Sequence, residues 1–453
     1  MNRPTLFSRC ALSLCLPLLL NTAHAAVDAA QADRLGTSLT PVGAERAGNA
    51  AGSIPEWTGG LAQDAGQVSD GFRADPFAGE APLFTITAQN LDQYREQLSP
   101  GQQALFARYP NTYKIPVYTT HRSIAWPQKA YEIARRNATA TQTVEGGNGL
   151  ENYSSPLAFP IPQNGLEVLW NHITRYRGGS FTRETTAFMT TPTGDYSWKT
   201  ERDRLAYSEE LLDYDPKKSK NILYYFTSEN IAPARDVGGV LLVHETLNQV
   251  KEPRMAWQYN SGQRRVRRAP QVAYDSPGPG NLRTTDQTDM FNGSPDRYDW
   301  QLVGKREMYV PYNSFRLADP ANSYDELITP GHLNQDKTRY ELHRVWEIVG
   351  TLKEGQRHVY SKRHLFIDED SWTIVEADHY DARGNLWRVS ENHILPLYDV
   401  QTQISAGELT YDLISGRYLG NYMFNKVKNA YRFGLKAKTA DFTPAALRAI
   451  GIR

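Results

Sequence analysis

The sequence predicts an α+β protein built on one large, curved antiparallel β-sheet, a half-barrel with helices packed in or across its concave face. Two observations predict it. Apolar residues at helical spacing concentrate in residues 85–178. Over residues 180–435 the pattern becomes a series of strands at short spacing, separated by Gly, Pro, Asn and Asp turn signals, which marks an antiparallel meander. No fixed-period repeat or low-complexity segment interrupts this plan, so residues 81–453 read as one unit.

Residues 1–25 read as an export signal. Arg3 and Arg9 precede an apolar run from Cys10 to Leu20, and Ala23-His24-Ala25 supplies a small-x-small cleavage pattern. The run is too short to span a bilayer. Cys15 follows Leu14 and so lacks the small neighbour of a lipidated cysteine. A soluble, periplasmic chain cleaved near Ala25 is expected. Both cysteines lie in this segment, so the mature chain uses neither disulfides nor thiol chemistry. Residues 26–80 are rich in Ala, Gly, Asp and Pro and read as an extended arm, anchored through Trp57 and Phe77.

The helices follow. Thr87 is placed to cap a helix carrying Leu91, Tyr94 and Leu98 on one face. A second helix follows Pro100 and carries Leu105 and Phe106; a third starts at Pro127 and runs to Asn137. Thr141 to Pro156 reads as a loop. Leu166, Leu169, Trp170 and Ile173 restore a helical pattern from Gly165 to Arg175, stopped by Gly178-Gly179. At the far end, Thr443 and Pro444 start a last short helix.

Strands are predicted on both sides of Pro192-Thr193-Gly194-Asp195, over 221–228 and over 239–248. Next comes a hairpin: an aromatic strand with Trp257 and Tyr259, a turn at Asn260-Ser261-Gly262, and a strand holding Arg264, Arg265, Arg267 and Arg268. Alternation puts Arg264, Val266 and Arg268 on one face and Arg265 and Arg267 on the other. Further strands follow from Tyr340 to the 390s, carrying Trp346, Phe366, Trp372 and Trp387.

Charge excludes one class of function. The 50 basic and 50 acidic residues cancel, and removal of Arg3 and Arg9 leaves a net −2, which lacks the basic footprint of a nucleic-acid binder. There is no GxSxG elbow, no HExxH helix and no Walker loop, so no enzyme is predicted. His343, His358, His364, His379 and His393 fall on predicted strands and read as structural, and no cofactor or metal is called for. Asp286, Asp289, Asp296 and Asp299 follow the arginine strand. They suit a hard-cation loop less well than bidentate pairing with the nearby arginines. The arginine strand itself has three readings: contact with an anionic head group, docking of a partner, or internal ion pairing. The last two weigh more, because its arginines divide between both faces.

Several long strings carry a resemblance. LTPVGAERAGNAAGSIPEWTGG near the start, the aromatic-turn-VRR hairpin, DMFNG, DWQLVGK and YDLISGRYLGNYM resemble the domain of unknown function 1329 family. This is a branch of the periplasmic outer-membrane lipoprotein-sorting (LolA/LolB-like) superfamily. LFIDEDSWTIVEADHYDARGNLWRV resembles the paired strands that end that fold. The resemblance implies a carrier of a hydrophobic, lipid-like ligand. It also implies partners: an RND/MmpL-type inner-membrane exporter and an outer-membrane companion. The expected liners of the concave face are Trp257, Tyr259, Trp346, Phe366, Trp372 and Trp387. Two other functions are carried forward, a non-carrying structural adaptor that docks through the arginine strand and a hydrolase.

Overall fold

A computed structural model describes residues 27–218, 221–269 and 274–451. The predicted export signal lies outside the described residues. Among the described residues, sixteen strands join in one open sheet. It is built from two meanders. One runs from Phe181–Thr190 through Tyr196–Tyr207, Ile222–Ala232, Val240–Thr246 and Met255–Asn260 to the edge strand Arg265–Arg268. The other runs from Tyr298–Pro311 through Tyr340–Leu352, Lys362–Asp368, Ile374–Tyr380, Leu386–Leu397 and Thr402–Asp412 to Tyr418–Met423. Antiparallel pairing of Tyr418–Met423 with Phe181–Thr190 fuses them. The far edge is Phe84–Ile86, beside Ile115–Val117, so the curved sheet does not close. One pairing departs from the antiparallel expectation. Val117 pairs with Tyr340 in parallel, which makes the sheet mixed.

The helices follow their caps. Ser99 and Gln102 form a reciprocal capping box that starts Pro100–Arg108. Pro127 sits just before Gln128–Ala140 rather than inside it. Asn164 accepts from the Glu167 amide at 3.0 Å and starts Gly165–Thr174, whose Val168, Leu169 and Trp170 are buried. That helix lies close against Tyr298–Pro311: a Cβ on Gly165 would stand 2.7 Å from the Gln301 backbone. The last helix, Pro444–Gly451, covers Tyr259 and Leu242 from the opposite face of the first meander.

Three expectations change. The Thr87 helix is instead two single turns, Leu91–Gln93 and Arg95–Gln97. The Asn90 side chain takes the Thr87 amide at 2.7 Å, and Pro100 begins the next element too soon for a longer run. The Thr141–Pro156 loop contains a small hairpin, Gln142–Val144 with Gly149–Glu151, turned by Gly146 and Gly147 at positive φ. Arg264 belongs to the turn, not the strand, with φ of 51°.

Residues of the 26–80 segment contact the body at several points. Trp57 donates to the Ile124 carbonyl at 3.1 Å, and Phe77 stacks on His121 at 4.0 Å. Arg122 holds the arm as well, donating to the Arg46 carbonyl while its fork grips Asp370 at 2.7 and 2.9 Å.

Candidate functional site

Pleat parity decides which residues of the first meander share a face. Directly paired residues point the same way, so Phe181 and Arg183 share a face with Leu205 and Asp203, then with Phe226, and then with Val243. This face, the Gly165–Thr174 helix end and the 285–292 loop enclose a cavity of about 170 Å³. Its walls are apolar at Phe181, Leu205, Phe226, Leu241, Val243 and Ile404, while Arg175, Arg177, Arg183 and Arg254 also line it.

Two other recesses are roomier, about 510 Å³ beneath the arm and about 390 Å³ beside Tyr153. The smaller cavity is distinguished by its charged lining, four arginines against the carboxylates of Glu245 and Asp289. Arg175 Nε, Thr373 Oγ1, Asn392 Oδ1 and Ser405 Oγ are buried without a protein partner and belong to residues that line it. The other two recesses each have one such residue, Arg316 and Tyr153. Buried polar atoms are nearly always satisfied, and these four are closed off from the cavity's open space.

Local structure positions each arginine. The Gly165–Thr174 helix ends just before Arg175, and Arg175 and Arg177 clamp Asp289 at 2.5 and 2.8 Å. Burial alone would raise the Asp289 carboxyl; the two guanidiniums overcome it and hold the group well below the usual carboxylate range. His172 completes this corner. Its Nδ1 accepts from the Ile374 amide at 3.1 Å, so Nε2 carries the proton and donates to the Asp289 carbonyl at 2.8 Å. Burial, and then Arg175, depress its pKa to about 3, so the ring is neutral. Arg183 gives Nε to Asp203 at 2.8 Å and lies 4.1 Å over the Tyr422 ring. Arg254 meets Glu245 at 2.9 Å, and Asn292 ties Tyr224 to the same carboxylate. Beyond Met290, whose amide it accepts at 3.1 Å, Glu408 is pushed by burial up to about 7.

None of the six aromatics expected to line the concave face lines this cavity. Tyr259 is buried and Trp257 half-buried on the opposite face, under the last helix, with Trp257 4.8 Å from the His244 ring. Trp372 is fully buried, stacks on Trp346 at 6.0 Å and donates to the Val42 carbonyl at 2.9 Å. Phe366 is fully buried beside His364. Trp387 donates to Asp412 at 3.0 Å, under Arg388. The pairing expected between the aspartate loop and the arginine strand is also replaced. Asp286 binds Arg363 at 2.6 Å and His358 at 3.1 Å, and Asp289 binds Arg175 and Arg177. Among the described residues, Arg264, Arg265, Arg267 and Arg268 form no ion pair. Asp286 and Asp289 thus pair with the body instead of the edge hairpin.

Sequence reasoning missed Arg175, Arg177, Arg183 and Arg254. Their one visible signal was the R-Y-R spacing just after a helix, which puts two cations at a helix C-terminus. Among the described residues one cluster has metal-ligand spacing, with His343, Asp368 and Asp370 presenting ligand atoms within 4.8 Å. Arg122 already occupies both Asp370 oxygens, so an ion there would have to displace a guanidinium. No helix among the described residues is long and apolar enough to cross a membrane.

Residues 85–448 match the family model described as protein of unknown function, DUF1329. An uncharacterized protein of Pseudomonas aeruginosa, PA3922, is 59% identical over 443 residues, covering 97% of each chain. Solved structures show weaker likeness. A putative outer membrane lipoprotein-sorting protein domain from Vibrio parahaemolyticus aligns at TM-score 0.44 and 13% identity, over 63% of this chain and 98% of its own. A DUF1329 family protein from Desulfovibrio piger aligns at 0.40 and 16%, over 60% and 92%. A LolA superfamily protein from Nitrosomonas europaea aligns at 0.37 and 12%, over 62% and 98%. With the family model spanning most of the chain and a relative of such identity along its whole length, this protein belongs to the DUF1329 family.

Proposed function

We propose that this protein is a periplasmic carrier that shelters a hydrophobic, lipid-like ligand on the concave face of its sheet and performs no catalysis. The observation that carries this reading is the cavity walled by Phe181, Leu205, Phe226, Leu241 and Val243, between the first meander and the 285–292 loop. Burial of apolar surface there contributes about 25 cal/mol per Å², enough to extract a chain from water with few polar contacts. The export signal read in residues 1–25 supports the compartment. Residues 81–453 act as one unit, clasped by the 26–80 arm. The carrier works beside an RND/MmpL-type inner-membrane exporter and an outer-membrane companion.

The test is native mass spectrometry of protein purified gently from periplasm, followed by organic extraction and lipid identification. A reproducible bound apolar molecule is expected. Protein that is empty, and stays empty when offered fatty acids, phospholipids and sterols, overturns the reading. Cross-linking in the native host tests the partners, and recovery of no exporter component would remove that part.

A specific observation favours a second reading, a structural adaptor. The sheet ends on Arg265–Arg268, with Arg265, Arg267 and Arg268 exposed and, among the described residues, without ion pairs. Under it, replacing Arg265 and Arg267 by Glu abolishes co-purification with a membrane partner, while the wild type binds no lipid.

A further inference from the structure

The first meander ends on a strand that, among the described residues, has no second neighbour in the sheet. Arg265–Arg268 pairs with Met255–Asn260 on one side only. The Ala269 amide donates to the Ala256 carbonyl at 2.8 Å, and in an antiparallel pair such exchanges recur at every second residue. Arg267 and Arg265 therefore spend their backbone groups on Gln258 and Asn260, while Val266 and Arg268 turn theirs to the open edge. An open edge of this kind is a template for one more strand.

Side-chain charge decides the chemistry of that strand. Arg264, Arg265, Arg267 and Arg268 are exposed and, among the described residues, form no ion pair. Pleat parity sets Arg265 and Arg267 on the face of Leu241, which walls the cavity, and Arg268 with half-buried Val266 on the face of Tyr259, under the last helix. A flat surface laid on either face meets only part of this charge; a chain lying along the edge reaches both faces. A second copy of the same edge would set arginine against arginine, and like charges opposed across strands repel. The contrast is Tyr298–Pro311, which among the described residues also pairs on one side only. It carries the usual protection: a bulge between Leu302 and Gly304, and cations already spent, Lys305 on Glu45 and Glu369 and Arg306 on Glu347. The pairing of Arg265–Arg268 has no bulge and its cations no carboxylate, so charge of one sign is left to select an acidic partner.

We propose that this edge binds an extended acidic segment of a partner protein by strand addition. The segment runs antiparallel to Arg265–Arg268 and exchanges backbone hydrogen bonds with Val266 and Arg268. It places acids opposite Arg268, Arg267 and Arg265 and an apolar residue opposite Val266. Backbone bonds fix the register, and the cross-strand ion pairs supply the selectivity. This mode of binding rests on the docking reading of the arginine strand, names the chemistry of its partner, and holds whether or not the cavity carries a ligand.

The experiment is fluorescence anisotropy of the labelled peptide Thr-Glu-Glu-Val-Glu-Thr, titrated with the full mature chain at low ionic strength. The peptide is expected to bind at least about tenfold more tightly than its neutral counterpart, Thr-Gln-Gln-Val-Gln-Thr. Methylating the amide nitrogens of its first Glu and its Val, which face Arg268 and Val266, is expected to abolish binding. Methylating those of the other two Glu residues, which face away, is expected to leave binding unchanged. The double change Arg265→Glu and Arg267→Glu, on exposed side chains, is expected to remove the preference for the acidic peptide. Failure of the acidic peptide to bind, equal binding of its neutral counterpart, or the same response to both methylation patterns overturns the proposal. Binding of phosphatidylglycerol vesicles by a chain that ignores the peptide also overturns it and makes the partner a lipid surface. In each of these cases the docking reading stands if the double Glu variant no longer co-purifies with a membrane partner, and falls with the proposal if co-purification is unchanged.

Discussion

Glu376 and Glu391 stand directly opposite each other on neighbouring strands, both fully buried. Ser99 Oγ donates to Glu376 at 3.1 Å, and the Tyr340 and Tyr113 hydroxyls donate to Glu391 at 2.8 and 3.2 Å. Cross-strand partners of like charge repel, so the pair holds at least one proton at neutral pH. Burial raises both carboxyls, Glu391 to about 7.

That arrangement has a sign that can be measured. A carboxyl raised on folding binds more protons in the folded chain, so its stabilisation is complete below the unfolded value of 4.5 and is lost as pH rises through about 7. Glu391→Gln mimics the protonated form at every pH. Its stability relative to wild type, followed by urea unfolding, is expected to improve by about 2 kcal/mol between pH 5 and pH 8. A constant difference would contradict the shared proton. Comparing variant with wild type cancels the buried histidines, such as His172 and His393, whose depressed values act in the opposite sense.

Asp289 carries the opposite sign. Its carboxyl is depressed, so its stabilisation exists above 3.8 and is lost as pH falls below that value. Asp289→Asn leaves Arg175 and Arg177 without their shared counterion and should cost about 3–5 kcal/mol at pH 7. The deficit relative to wild type should narrow on acidification below 3.8. Denaturation at neutral pH with a loss below about 1 kcal/mol would show that other groups compensate both cations.

Trp372 is a core residue that also ties down the arm. Trp372→Ala should destabilise by about 3–5 kcal/mol through cavity formation. Trp372→Phe keeps most of the volume but removes the bond to the Val42 carbonyl, at a cost of about 1 kcal/mol. Limited proteolysis should then cut the arm faster, and unchanged cleavage would place its anchorage elsewhere, at Trp57 or Arg122.

The edge arginines should be silent in stability. Arg265 and Arg267 are exposed and, among the described residues, unpaired by carboxylates. Replacing both by Glu should shift thermal unfolding by no more than about 0.5 kcal/mol. A large loss would reveal a structural role and weaken the adaptor reading.

Much of this fold was legible because it is written in local pattern. Alternation and turn residues marked strands from Phe181 into the 390s, and Pro100 and the spacing of Leu166, Leu169, Trp170 and Ile173 marked two helices. The Thr87 helix failed where one side chain, Asn90, captured the backbone first. The candidate site was far less legible. Trp257 and Tyr259 look as suited to a ligand wall as Leu241 and Val243 do, and only register and the position of the last helix put them on the far face. Likewise Asp289 lies nearer in sequence to Arg268 than to Arg175, yet chain folding delivers it to Arg175.

By itself, then, the sequence determined the element types, the α+β class and, through long specific strings, the family. Those depend on near-neighbour spacing, capping and turn chemistry, which a linear chain displays directly. The tertiary structure decided the order in which the two meanders join, which face of each strand meets helix or cavity, and which arginine meets which carboxylate. These are long-range choices. Ile404 and Phe181 line the same cavity only because Tyr418–Met423 pairs with Phe181–Thr190, a contact set by the burial of both meanders together, with no trace in either segment alone.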